Sequence, residues 1–155
     1  MSDPLVSVLM LTYNHEKYIR SAIEGCLMQE TSFPYEIIIH DDASTDGTTS
    51  IIMEYAKNYP DLIVPIIQNE NQYQKGIYGG IRMEKFILPL VSGKYIAFCE
   101  GDDYWIDPLK LQKQIDYMEN HPGCSLCFHD AILVDEDQSH LKEFPGSYLR
   151  ETGFK

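Results

Sequence analysis

The chain has 155 residues, 44% of them hydrophobic, and sets 24 acidic against 12 basic side chains for a formal net charge of −12. That length supports one domain with a core of its own and no disulfide staples, so residues 1–155 are expected to form a single domain. The acidic balance argues against nucleic acid as a partner, since binding to it begins with phosphate neutralisation by Lys and Arg; a nucleotide, whose charge one metal ion and a few donors can hold, stays admissible.

Met1-Ser2-Asp3-Pro4 has neither the basic start nor the apolar core of a secretory signal. No apolar run approaches the ~20 residues of a membrane span. A cytoplasmic location is therefore expected, free or peripheral at the inner face of the membrane. Four cysteines in such a chain read as reduced core residues. Cys124-Ser125-Leu126-Cys127 has metal-like spacing, but on a strand its thiols would point to opposite faces and no second pair completes a site. Buried strand cysteines are the expectation.

In chain order, Leu5-Val6-Ser7-Val8-Leu9-Met10-Leu11 is a continuous apolar run suited to a strand covered on both faces. It ends in the polar loop Thr12-Tyr13-Asn14-His15. Tyr18, Ile19, Ala22, Ile23, Cys26 and Leu27 then repeat at helical spacing, and Thr31-Ser32-Phe33-Pro34 breaks that helix. A second strand, Tyr35 to His40, ends at Asp41-Asp42-Ala43-Ser44-Thr45-Asp46-Gly47-Thr48, which is dense in capping residues. Ile51, Ile52, Tyr55, Ala56 and Tyr59 mark the next helix, closed by Pro60. Leu62 to Ile67 reads as a third strand whose Pro65 places it at an edge or a bulge. Gln68 to Gly80, polar and holding three glycines, reads as an active-site loop, and a helix is expected over Ile81–Val91. Lys94 to Cys99 reads as a short buried strand. Asp107-Pro108 starts a further helix with Leu111, Ile115 and Met118 on one face, His121-Pro122-Gly123 ends it, and Cys124 to Val134 reads as a fifth strand. The alternation predicts an α/β fold, a mostly parallel sheet with helices on both faces joined by right-handed crossovers.

The fourth strand runs into Glu100-Gly101-Asp102-Asp103, three carboxylates within four residues. Packing does not favour such crowding, so the turn is either solvated or gathered by a cation. In open α/β sheets ligands sit outside the carboxyl ends of the strands, and that edge here also receives Thr12-Tyr13-Asn14 and Asp41-Asp42-Ala43-Ser44. Three loops thus bring a ring, hydroxyls, an amide and carboxylates to one crevice. Each has a plainer reading: Asn14 and Ser44 as caps, Asp46 as a cap or first-turn charge, Asp103 as a turn residue, Trp105 as a packing anchor.

These stretches resemble family 2 glycosyltransferases. Val6 to Asn14 is similar to that family's opening strand, Asp41 to Thr48 to its Asp-Asp-Gly-Ser-Thr-Asp-Gly-Thr stretch, and Ser92 to Phe98 with Glu100-Gly101-Asp102-Asp103 to its Gly-Glu-Tyr-Ile strand and Asp-x-Asp-Asp motif. The resemblance covers about residues 5 to 134 in order and spacing. It implies a Rossmann-like GT-A fold, truncated at its C-terminus, with 5–134 as the core and 135–155 as the start of an acceptor-side segment. It also implies inverting transfer of a sugar from a UDP-, GDP- or dTDP-linked donor to a saccharide or lipid-linked acceptor, as in polysaccharide biosynthesis. The nucleotide-sugar site would comprise Thr12, Tyr13, Asn14, Asp42, Ser44, Glu100 and Asp102, with Asp102 and Glu100 on Mg2+ or Mn2+. Two departures stand out: Glu100 replaces the first Asp of the motif, and the family's Ala-Arg-Asn segment is not evident, leaving Lys75 or Arg82 to supply a cation for the diphosphate.

Inverting transfer needs a carboxylate base. Asp130 is a weak candidate; Asp135, Glu136 and Asp137 read as an exposed charged turn, and the base is expected beyond residue 155, which would make this chain an inactive fragment. A truncated sheet edge also favours a homo-oligomer. Two alternatives stay open: a non-catalytic nucleotide-sugar-binding module, and a Mg-dependent phosphotransfer domain, disfavoured because Ala43 stands where its second Asp belongs. A nicotinamide-binding domain is disfavoured because no Gly-x-Gly-x-x-Gly follows the first strand.

Overall fold

The computed structural model describes residues 3–134 and the backbone of 141–143. The charged turn expected at Asp135, Glu136 and Asp137 lies outside the described residues, as does most of the segment expected to begin an acceptor half. The chain divides into two compact units, Met1–Lys113 and Gln114–Lys155.

The first unit is built on a four-stranded parallel sheet in the order β3-β2-β1-β4, from β1 (Val6–Thr12), β2 (Tyr35–Asp41), β3 (Ile63–Ile67) and β4 (Tyr95–Phe98). The two central strands are the most apolar because both their faces are covered. Pro65 sits where the sequence places it, on an edge strand, since it cannot donate to a ladder.

Register sorts the side chains into faces, because laterally paired residues of a parallel sheet point the same way. Leu9 pairs with Ile38 and Ile38 with Val64. Against this row pack Ile87, Met83 and Phe86 from a helical segment made of α3 (Gly79–Arg82), a π turn over Met83–Ile87 and a 3-10 turn over Leu88–Leu90. A regular helix expected over these residues is interrupted near its end: Pro89 offers no N–H to the carbonyl of Lys85 and its ring crowds that position. On the opposite face Val8, Met10, Ile37 and Ile39 are fully buried. The buried stripes of α1 (Ile19–Leu27) and α2 (Thr48–Asn58) cover it, Ile19, Ala22, Ile23 and Cys26 from one and Ile52, Tyr55 and Ala56 from the other.

His40 is fully buried on the α3 side, 5.9 Å from the ring of Phe86. Burial, then the nearby Arg82, push its pKa down, so it stays neutral beneath the helix that carries Arg82.

Two strand expectations need correction. Among the described residues β4 lies at the sheet edge and is not buried: Ile96 is 42% and Phe98 56% exposed. Residues 124–131 form no strand; in the second unit Ile132–Val134 (β5) pairs antiparallel with Leu141–Glu143 (β6). Continuous apolarity cannot separate a strand from an irregular apolar segment. Cys124 and Cys127 are accordingly half-exposed and free, while the buried cysteines are Cys26 and Cys99.

The segment from the acidic turn to α4 (Lys110–Asn120) is pinned to α1 by Gln29. Its Nε2 donates to the carbonyls of Gly25 at 3.2 Å and Asp107 at 2.9 Å, and its Oε1 accepts the Leu111 N–H at 3.0 Å. Trp105 is the anchor its sequence context suggests, 7% exposed. Its backbone lies so close to Gly25 that a Cβ there would meet it at 2.8 Å. Gln29→Ala strands these buried partners, so urea denaturation is expected to show a loss of about 1–3 kcal/mol; an unchanged midpoint would remove Gln29 from this role.

Candidate functional site

Parallel pairing delivers three loops to one edge of the sheet. Thr12 and Asp41, the last residues of β1 and β2, are register partners. The Asp42 N–H donates to the Thr12 carbonyl at 3.0 Å, and the Gly101 N–H to the Leu11 carbonyl at 2.9 Å, extending both pairings past the strands. Between these ends lies a cleft of about 320 Å³ lined by Leu11, Thr12, Tyr13, His15, Asp42, Asn71, Tyr73, Gln74, Arg82 and Glu100.

The β1 and β2 loops are clasped together by Asn14 and Ser44. Asn14 (φ 56°) and Ala43 (φ 63°) take left-handed backbone conformations. The Asn14 N–H donates to Ser44 Oγ at 2.9 Å, and Asn14 Oδ1 accepts the Thr45 N–H at 2.8 Å. Asp41 accepts hydrogen bonds from the Ser44 hydroxyl and from Thr49. Asp46 takes the cap role, accepting the Thr48 N–H at 2.9 Å and, through its other oxygen, the Glu16 N–H at 3.1 Å. Neither Asn14 nor Ser44 lines the cleft; the structure gives them the task of joining two loops.

Asp42 lines the cleft yet is only 1% exposed. Its two carboxylate oxygens accept the N–H groups of Gln72 at 2.8 Å and Tyr73 at 3.1 Å, and Arg82 stands 3.5 Å from the second. Asp42 therefore anchors the Gln68–Gly80 loop and with it Asn71, Tyr73 and Gln74. The sequence marks that loop but not these three positions, because their place depends on a contact about thirty residues away; Leu11 and His15 flank the β1 strand end and carry no spacing signal of their own. Arg82 is the cation that reaches the cleft, with its Nε buried and unpartnered. Lys75 is paired with Glu70 on the exposed loop.

Charge crowding in the acidic turn shifts its titration upward. Burial, then Asp102, raise the pKa of Glu100, and Arg82 opposes them. Burial and Asp102 likewise raise Asp103, with His15 opposing. The Asp102 side chain is 53% exposed and its Oδ2 lies 3.9 Å from His15 Nε2. Thr12, 4% exposed, has a buried hydroxyl without a partner. Such a set fits a hard divalent cation: negative charge is under-compensated, and oxygen donors are the type it prefers. Among the described residues no three His, Cys, Asp or Glu side chains converge on one point. Asp130 belongs to the second unit and is exposed.

The family model described as glycosyl transferase family 2 matches residues 7–154. The chain is 46% identical over 140 residues to the uncharacterized protein Rv1520 of Mycobacterium tuberculosis, covering 90% of this chain and 39% of that protein. Its fold is similar to that of TarS 1–349 of S. aureus in complex with UDP, with a TM-score of 0.60 and 28% identity over 83% of this chain and 34% of the other. The mannosyltransferase PcManGT of Pyrobaculum calidifontis, in complex with GDP-Man and Mn2+, shares the fold at a TM-score of 0.62 and 22% identity, over 76% and 33% of the two chains. The chain thus spans well under two thirds of these proteins.

The raised Glu100 pKa carries a prediction with a definite sign. A carboxyl whose folded pKa exceeds its unfolded value destabilises the fold once ionised, and the penalty grows as pH rises from about 4.3 through the folded value. Without metal, Glu100→Gln is expected to melt higher than the parent at pH 7, and the gap is expected to close near pH 4. Equal melting temperatures across that range would show that the turn's charge is compensated within the chain.

Proposed function

The chain belongs to glycosyl transferase family 2, and on that footing we propose that its cleft holds the nucleotide diphosphate of a sugar donor. The observation that carries this reading is the meeting, in one cleft of about 320 Å³, of the Thr12-Tyr13 strand end, the buried Asp42, Arg82 and Glu100. Tyr13, 37% exposed at the cleft wall, offers a face for a base. Asp42 holds the floor of that subsite and faces the base edge. Arg82, with an unspent N–H, donates to diphosphate oxygens. Asn14 and Ser44 act by fixing the loop that presents Tyr13.

Glu100 and Asp102 would hold Mg2+ or Mn2+. When bound, the ion supplies electrostatic stabilisation for the charge that develops on the departing diphosphate. The chain's own part is to aim two carboxylates and one guanidinium at that charge before reaction. The reading extends to inverting transfer onto a saccharide or lipid-linked acceptor, in polysaccharide biosynthesis. UDP bound to the structurally similar TarS supports a uridine-type donor as the first to test.

Calorimetric titration of UDP and GDP, with Mn2+, with Mg2+ and with chelator, tests the reading. Metal-dependent binding is expected in the parent and should weaken at least about tenfold in Asp102→Ala. Asp42→Asn is expected to weaken binding of the preferred nucleotide more than the other and to cost about 1–3 kcal/mol of stability through the released loop. A folded chain that binds neither nucleotide would overturn the donor-site assignment, and equal affinity with chelator would overturn its metal.

A further inference from the structure

We propose that His15 is a nitrogen ligand to the divalent cation at the acidic turn, and that it biases the site toward Mn2+ over Mg2+. This rests on the donor-site reading above and adds to it a residue that neither the motif nor the spacing of the acidic turn contains.

His15 lines the cleft beside Glu100, on the loop that leaves β1. Its Nε2 lies 3.9 Å from Asp102 Oδ2, longer than a hydrogen bond. Donors about 2.1 Å from one octahedral ion stand about 3 Å apart when adjacent and about 4.2 Å when opposite. The observed separation lies between those two spacings, about 0.3 Å short of the opposite one, so an ion can be shared after a side-chain shift of a few tenths of an ångström.

The imidazole is held in place from behind. The His15 carbonyl accepts the N–H groups of Tyr18 and Ile19, both at 2.9 Å, which roots the residue in the first turn of α1. Gly101 presses against it: a Cβ there would lie 2.9 Å from His15 Nδ1 and 2.7 Å from Thr12 Oγ1. Those two atoms are both buried and without a partner, and Thr12 as a whole is 4% exposed. Two orphaned polar groups bordering one small space form a ready second shell, in which Nδ1–H, unbonded here, can donate to the Thr12 hydroxyl after a small shift or through a water. That arrangement selects the tautomer whose Nε2 lone pair faces Asp102, the form a metal-ligating histidine takes. A side chain at position 101 would fill the space.

The selectivity follows from ligand chemistry. Mg2+ strongly prefers oxygen and gives up its waters reluctantly. Mn2+ also takes oxygen ligands, but as a first-row transition ion it accepts a nitrogen donor more readily than Mg2+, so a His–Asp pair completed by diphosphate oxygens tilts the site toward Mn2+.

The test is electron spin-echo spectroscopy of the full chain loaded with Mn2+ and UDP, and separately with Mn2+ and GDP. A histidine-nitrogen modulation that changes on 15N-histidine labelling is expected in the parent and should vanish in His15→Gln. Titrations alongside are expected to show Mn2+ affinity falling at least about tenfold in that variant while Mg2+ affinity changes far less. The spectroscopic result on the parent does not depend on the variant folding, and Thr12→Val gives a second reading, an altered nitrogen coupling with His15 intact. Mn2+ bound with nucleotide but showing no nitrogen modulation would overturn the His15 assignment alone. Equal loss of Mg2+ and Mn2+ in His15→Gln would overturn the selectivity. Absence of Mn2+ and nucleotide binding in the parent would overturn this inference together with the donor-site reading.

Discussion

The parallel pairing of β1 with β2 on one side and β4 on the other is the constraint on which everything else depends. Because side chains alternate along a strand, a slip of one residue would turn Leu9 and Ile38 from one face to the other. It would also carry the loops out of line at the carboxyl edge. The rows Val8–Ile37 and Leu9–Ile38, buried on both faces, make such slips expensive. With about 1.5–3 kcal/mol for each large aliphatic side chain kept from water, the core specifies the register, and the register specifies where Thr12, Asp42 and Glu100 meet.

On that frame the site is assembled from charges that do not cancel locally. Asp41 and Asp42 are adjacent and both buried, yet they face different tasks: Asp41 accepts the hydroxyls of Ser44 in its own loop and Thr49 in the first turn of α2, and Asp42 accepts backbone N–H groups of the Gln68–Gly80 loop. Each is satisfied, so each is rigid. Glu100 and Asp103 are different. Partly desolvated at the turn and crowded by Asp102, they hold their protons more tightly than ordinary carboxyls. The structure therefore keeps unspent negative charge at one point of the cleft and unspent donor capacity, on Arg82, at another. That asymmetry is what the proposed metal–diphosphate ligand would complement.

Much of this could be read in the chain. The order of the first four strands, the edge position of Pro65, the anchoring by Trp105 and the convergence of three polar strand ends follow from local pattern, because apolar runs, capping residues and prolines act over a few residues. Other features could not. Tyr73 reaches the cleft because its N–H binds a carboxylate thirty-one residues earlier. Asn14 and Ser44 have the composition of ligand contacts and the geometry of a clasp. Phe98 has the apolarity of a core residue on a strand that the sheet leaves at its edge.

The sequence by itself thus determined the α/β class, the family, and the carboxylates gathered at the strand ends, since each is encoded in periodicity or in short motifs. The tertiary structure alone decided which of those polar groups face the cleft, which join loops, and that His15, Arg82 and Asp42 share it with Glu100. Local pattern reports what a residue prefers. Which oxygen or nitrogen remains unspent depends on partners brought from distant parts of the chain, and that is settled only when the sheet closes its register.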